Sequence, residues 1–239
     1  MTRAIAPLSM STIDELPEPC RSCVHWEVGA PPVDPAPADD PEDPDAPAAS
    51  RDPFADDGAF EKEVWLSGVT LTWGSAGAIL SVDDRPTGFA LFAPPTTVTR
   101  AAAFPTSPVS PDAVLLTSLR VLPEVRGQGL GRALVAWVTA ELTRRGVRAL
   151  EAFGVEEATG RRGRRRPLPA DAGCMLPAGF LRSVGFTEVR PHPVFPRLRM
   201  ELETGLGWKA QVEAALEKLV TVITVPAAPA RDRELVPAP

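Results

Sequence analysis

Residues 126 to 132 run Arg-Gly-Gln-Gly-Leu-Gly-Arg, three glycines at alternate positions between two arginines. Without a Cβ at those positions the backbone amides can approach a ligand closely, and the two guanidinium groups add positive charge. The chemistry expected of such a turn is anion binding. Before it, Val114 to Val121 is a largely apolar run ended by Pro123, the composition of a strand buried on both faces. After it, Leu130, Ala133, Leu134, Trp137, Val138 and Leu142 recur at three and four residues, with Arg132, Thr139, Glu141 and Arg145 opposite. That spacing predicts an amphipathic helix, closed by Arg144, Arg145 and Gly146. A helix N-terminus directly behind the glycines adds free N–H groups and the positive end of the dipole. A dinucleotide-binding fingerprint starting at Gly127 needs glycine where Arg132 stands, and a nucleotide-phosphate loop needs Gly-Lys-Ser/Thr. Neither is present.

The second group of reactive side chains is Cys20-Arg-Ser-Cys23-Val-His25. A zinc site wants four ligands, and the only other cysteine and histidine are Cys174 and His192, so the paired ligands such a site needs are missing and no metal is expected. A redox role would place C-x-x-C at the start of a helix after a strand, which the bulky residues that follow do not resemble. Reduced cysteines flanking a loop are the expectation. The five arginines of residues 160–167 lack interleaved aromatics or a second basic patch, so a solvated loop is expected there and no nucleic-acid partner.

The chain has 239 residues, 44% of them apolar, enough for a sizeable core. Its net charge of −6 is carried by residues 30–53, which hold seven acids, one base and eight prolines, so the remainder is neutral. No electrostatic bias toward nucleic acid or acidic membranes follows. Residues 30–53 have almost no large apolar side chain, and are expected to be a disordered insertion. No stretch is apolar enough to span a membrane and the first residues lack the apolar core of a secretory signal, so a cytoplasmic location is expected.

Around the central strand and helix the pattern predicts a short strand in 3–10, a helix over 60–73 with Trp65, Val69 and Trp73 on one side, and strands at 78–82 and 88–93 joined by residues 83–87. Residues 94–112 read as a Pro- and Ser-rich loop. Residues 147–155 read as a buried strand parallel to the central one through a right-handed crossover. A short helix over 174–184, ended by Gly185, precedes an antiparallel pair at 186–190 and 198–203. Trp208, Val212, Leu216, Leu219 and Ile223 form a helical stripe expected to pack on the domain, with a homodimer contact as the alternative. One domain over 1–225 with a disordered tail at 226–239 is expected.

The pattern Arg126-x-x-Gly129-x-Gly131, placed between strand and helix, resembles the pyrophosphate loop of the GNAT superfamily of acyl-CoA N-acyltransferases. Phe180-Leu-Arg-Ser-Val-Gly185-Phe186 is similar to that family's second signature. The resemblance covers residues 114–203, and a weaker fit extends it to about residue 60. It implies an α/β fold: a mixed, mostly antiparallel sheet flanked by helices, whose central parallel strand pair splays apart to admit the pantetheine arm. It implies that backbone groups of Leu119 and Val121 pair with that arm and that Arg126, Gly127, Gln128, Gly129, Leu130, Gly131 and Arg132 hold the pyrophosphate.

The activity implied is N-acetylation, with acetyl-CoA as acyl donor, no metal, and a small-molecule or protein amine attacking the thioester directly. Such a reaction needs a base for the amine and an acid for the departing thiolate. Many GNAT enzymes use a tyrosine of the second signature as acid; this chain has no tyrosine, and Leu181 stands there. Cys174 and Ser183 are the candidate acids, Glu151 and Glu27 the candidate bases. The alternative implied is a non-catalytic acyl-CoA-binding sensor or partner-binding module.

Overall fold

The computed structural model describes residues 2–28, 58–156 and 174–202. The expected insertion at 30–53, arginine loop, C-terminal helical stripe and tail lie outside the described residues, and the compact unit that the described residues belong to ends at Leu202. A sheet runs in the order β1-β2-β3-β4-β5-β8-β7. Its strands are β1 (Arg3–Pro7), β2 (Gly77–Val82), β3 (Arg85–Ala93), β4 (Ala113–Val121), β5 (Ala149–Val155), β7 (Thr187–Arg190) and β8 (Arg197–Glu201), with the two-residue β6 (Leu176–Pro177) beside β5. Pairing is antiparallel except for β4 with β5 and β5 with β6. Among the described residues three α-helices accompany it: α1 (Gly58–Thr72), α2 (Leu130–Arg144) and α3 (Ala178–Ser183).

Strand alternation sorts the apolar side chains onto two faces. Ile79, Phe89, Leu91, Leu115 and Phe153 share a core with Leu66 and Val69 of α1 and with Trp26. Leu80, Phe92, Leu116 and Leu150 pack against Leu134, Val138 and Leu142 of α2 and Leu181 of α3. Helices therefore cover both faces of one sheet, which explains why its central strands carry apolar residues at successive positions rather than alternate ones. On α1 the buried stripe is Lys62, Leu66 and Val69, while Trp65 and Trp73 pack at its edge.

Three local expectations shift. The β2–β3 hairpin turns at Asp83-Asp84 alone, both at positive φ (48° and 61°), and β3 begins at Arg85; short Asp side chains tolerate the left-handed turn that matches strand twist. The helix expected from residue 174 starts only at Ala178, because Pro177 holds Leu176 in the extended region and the two residues pair with Gly154 and Val155 instead. β4 is buried on both faces only through Thr117 and half-buried from Ser118 onward.

That last difference builds the site. β4 follows β3 along its length, but between Leu116 and Ser118 the register shifts, leaving Thr117 as a bulge whose hydroxyl donates to the Leu91 carbonyl (3.1 Å). A bulge bends its strand and increases the local twist. On the other side, β4 pairs with β5 only at Ala113, Val114 and Leu115, opposite Ala149, Leu150 and Glu151. Past Leu115 the two parallel strands part.

Candidate functional site

The parted strands open into a cavity of about 580 Å³, within the range of small-molecule sites. Ser118 to Val121 form one wall and Met175, Leu176 and Phe180 another. At one end lies the glycine turn. Gly127 and Gly129 sit at φ 78° and 76°, a left-handed backbone that a side-chain-bearing residue adopts only with strain. At Gly131 a Cβ would meet the Phe180 ring at 3.3 Å, so the helix start and α3 can approach only because that position is bare. The first bond of α2 runs from the Ala133 amide to the Gly129 carbonyl (3.0 Å), so the amides ahead of it have no intrahelical acceptor.

Both arginines of the turn are fixed by backbone. Arg126 Nε donates to the Val121 carbonyl (2.9 Å), and Arg132 donates to the Ser183 carbonyl (2.9 Å), tying the turn to the end of α3. Of the residues expected to bind cofactor, Leu119, Val121, Arg126, Gly127, Gly129, Leu130, Gly131 and Arg132 line the cavity, and Gln128 does not.

The four candidate catalytic side chains divide. Cys174 and Ser183 line the cavity; Glu151 and Glu27 do not. Glu151, fully buried, accepts from Arg197, from Arg199 (3.2 Å) and from the Ser110 amide (3.2 Å). Both its oxygens are thus engaged by cations. Glu27 is held against Lys62 Nζ at 2.6 Å, both side chains nearly inaccessible. Ser183 donates its hydroxyl proton to the Phe180 carbonyl (2.7 Å). Leu181, where the family's tyrosine is expected, is buried in the core.

The same cavity is lined by three reactive or charged residues outside the expected site: Cys20, Cys23 and Lys62. Cys23 Sγ lies 3.0 Å from Cys174 Sγ, across 151 positions of chain. The hydrogen bond with the Cys174 thiol, against an opposing effect of burial and with help from a backbone N–H at His25 and the charge of Lys62, lowers the Cys23 thiol to about 6. The same contact and burial raise the Cys174 thiol, and burial raises Cys20. The chain's three cysteines thus converge on one cavity. Their separation in sequence hid this, and the failed search for four zinc ligands left Cys20 and Cys23 without a role; among the described residues no group of His, Cys, Asp and Glu suits a metal. His192 is engaged elsewhere, its Nδ1 accepting from the Val194 and Phe195 amides.

No curated protein matches the sequence. Solved structures similar to it include an N-acetyltransferase from Staphylococcus aureus (11% identity, 85% of this chain and 100% of that one, TM-score 0.49). Others are a putative acetyltransferase from Salmonella typhimurium with its cofactor acetyl-CoA (15%, 85% and 95%, TM-score 0.48) and the PaiA N-acetyltransferase from Thermoplasma acidophilum in complex with coenzyme A (11%, 84% and 99%, TM-score 0.47). The model of the acetyltransferase (GNAT) family matches residues 40–163, just over half of the sequence. With the splayed β4–β5 pair and the glycine turn at its mouth, this chain belongs to the GNAT acetyltransferase family.

Proposed function

We propose that the protein is an acetyl-CoA-dependent N-acetyltransferase that delivers the acetyl group to an amine by direct attack. The observation that carries the reading is a single cavity lined by the bare, arginine-flanked turn, by the half of β4 not paired with β5, and by three thiols. The pyrophosphate of acetyl-CoA sits over Arg126 to Arg132, where α2 presents free amides and two guanidinium groups carry charge. The pantetheine arm lies in the gap beside Leu119 and Val121, and a backbone amide near Leu119 polarises the thioester carbonyl. Cys174, in the cavity wall, protonates the departing CoA thiolate, the task that falls to tyrosine in many members of the family.

Two measurements test this. Calorimetry should show acetyl-CoA binding by the wild type and none by Gly129→Val/Gly131→Val, a variant that strain at Gly129 and the Phe180 contact at Gly131 should destabilise, so circular dichroism must show it still folded at the assay temperature; equal affinity in the two would remove the basis of the reading. Thiol release from acetyl-CoA over a panel of primary amines should then find an acceptor. Tight binding with no turnover on any amine would favour the sensor.

A further inference from the structure

The reaction needs a base as well as an acid, and neither glutamate reaches the cavity. We propose that Cys23 and Cys174 work as a proton-sharing pair, Cys23 as the base that takes the proton of the attacking amine and Cys174 as the acid that protonates the CoA sulfur. This rests on the N-acetyltransferase reading and adds a catalytic residue to it. The geometric argument is that the amine nitrogen and the leaving sulfur are bonded to the same carbon in the tetrahedral intermediate. An acceptor and a donor must therefore stand side by side, and the two sulfurs, 3.0 Å apart in the cavity wall, do.

The steps balance. A neutral amine attacks the carbonyl carbon, giving a cationic nitrogen and an oxyanion. The Cys23 thiolate removes one N–H proton and becomes a thiol. The intermediate collapses, the C–S bond breaks, and the CoA thiolate takes the proton of Cys174. The pair is then Cys23 thiol and Cys174 thiolate, and one proton crossing the contact between them restores the starting state. Amine and acetyl-CoA have become amide and CoA, with no net change in the protein.

The contact between the sulfurs, which lowers Cys23 and raises Cys174, and the charge of Lys62 favour this sense, while Glu27 at Cys23 and Arg120 at Cys174 oppose it. Cys23 meets the cation Lys62 of α1 and the anion Glu27, which Lys62 itself neutralises, and it accepts from the amide of His25. Arg120 of β4 acts on Cys174 and Cys20, and Glu18 acts on Cys20. A base must be deprotonated to work, so with Cys23 lowered to about 6 the kcat measured at saturating neutral amine falls as pH drops through that value.

The pair can be tested apart from the acceptor. Alkylation of Cys23 by iodoacetamide, followed by peptide mass against pH, should have its midpoint near 6 in the wild type and move up toward the ordinary cysteine range in Cys174→Ala, with Cys174→Ser in between. An unshifted midpoint in Cys174→Ala would dissolve the pair while leaving the acetyltransferase reading intact. With the best primary amine of the panel, Cys23→Ala should bind acetyl-CoA as the wild type does, lose about 10²- to 10⁴-fold in kcat, and lose the acidic limb of the pH profile. Near-wild-type kcat, an unchanged limb, or a hydroxylamine-labile acetyl group on Cys23 of the wild type would each overturn the proposal, the last by making Cys23 a nucleophile instead. Failure of the wild type to acetylate any amine would bring down both readings together.

Discussion

The parallel pair β4–β5 has a closed end and an open end, and the two handle polar groups in opposite ways. At the closed end, where Leu115 lies opposite Glu151, each charge is matched: Glu151 holds Arg197 and Arg199, and Arg199 also grips Asp112 at 3.0 Å and Glu201 at 2.6 Å. Arg199 correspondingly keeps the carboxyls of Asp112 and Glu201 below their ordinary range. At the open end the strands part, and residues bearing helix-start amides, guanidinium groups and thiols line a cavity, the arginines tied only to backbone carbonyls and two of the thiols in contact with each other rather than with a counter-charge. A carboxylate locked between two arginines and away from the cavity is not placed to take a substrate proton. Groups with unspent hydrogen-bonding capacity are what a site needs, so structure gathers at one end of the gap and chemistry at the other. Substitutions at the open end should change rate without changing stability, and those at the closed end the reverse.

The largest effect expected is at the open end. Diamide should join Cys23 to Cys174, two thiols giving one disulfide as the azo compound is reduced to its hydrazine. With both the donor and the acceptor consumed, acetyl transfer should stop, the melting temperature should not fall, and dithiothreitol should restore the rate. Full activity in protein whose peptide map contains the Cys23–Cys174 disulfide would place the pair away from the reacting atoms.

Next in size is a substitution at the closed end. Glu151→Ala leaves two largely buried guanidinium groups without their shared counter-charge, and breaking such a set costs about 3–5 kcal/mol. Urea unfolding should register that loss, whereas kcat per folded molecule should hold. A stable Glu151→Ala protein with its rate abolished would reverse the comparison and restore Glu151 as the base.

What could be read from the sequence follows the same division. The turn at 126–132 and α2 are local: glycine spacing, helical periodicity and end signals all lie between Arg126 and Gly146, and the structure places them as expected. The splay of β4 from β5 is not local: the resemblance implied it, but the bulge at Thr117 beside it is set by register with β3, which nothing in the composition of the strand marks. The thiol pair is less legible still, because Cys23 and Cys174 meet only through the packing of the segment before α1 against the segment before α3. The carboxylates misled for a related reason. An acid inside a buried strand is conspicuous in sequence, but its arginine partners sit on β8 and become visible only once the strand order is known. A sequence reveals which side chains can do chemistry more readily than which already have partners.

The smallest expected effect separates lining the cavity from acting in it. Ser183 stands at the cavity wall, as Cys174 does, and by position alone is an equal candidate for the acid. Its hydroxyl, however, donates to the Phe180 carbonyl at 2.7 Å, and its own carbonyl accepts from Arg132 at 2.9 Å. A proton already given to a carbonyl can reach a thiolate only if that bond breaks first, whereas the backbone contact to Arg132 survives any change of side chain. Ser183→Ala removes one exposed neutral hydrogen bond, worth about 0.5–1.5 kcal/mol at most, and leaves the arginine anchored. Its kcat should stay within about twofold of wild type, an allowance of some 0.4 kcal/mol in the barrier, and its acetyl-CoA affinity should be unchanged. A loss of 100-fold or more in kcat with affinity preserved would make Ser183 the acid. Cys174 would then be left as a neighbour that tunes Cys23, and the alkylation midpoint in Cys174→Ala would show whether that smaller role survives.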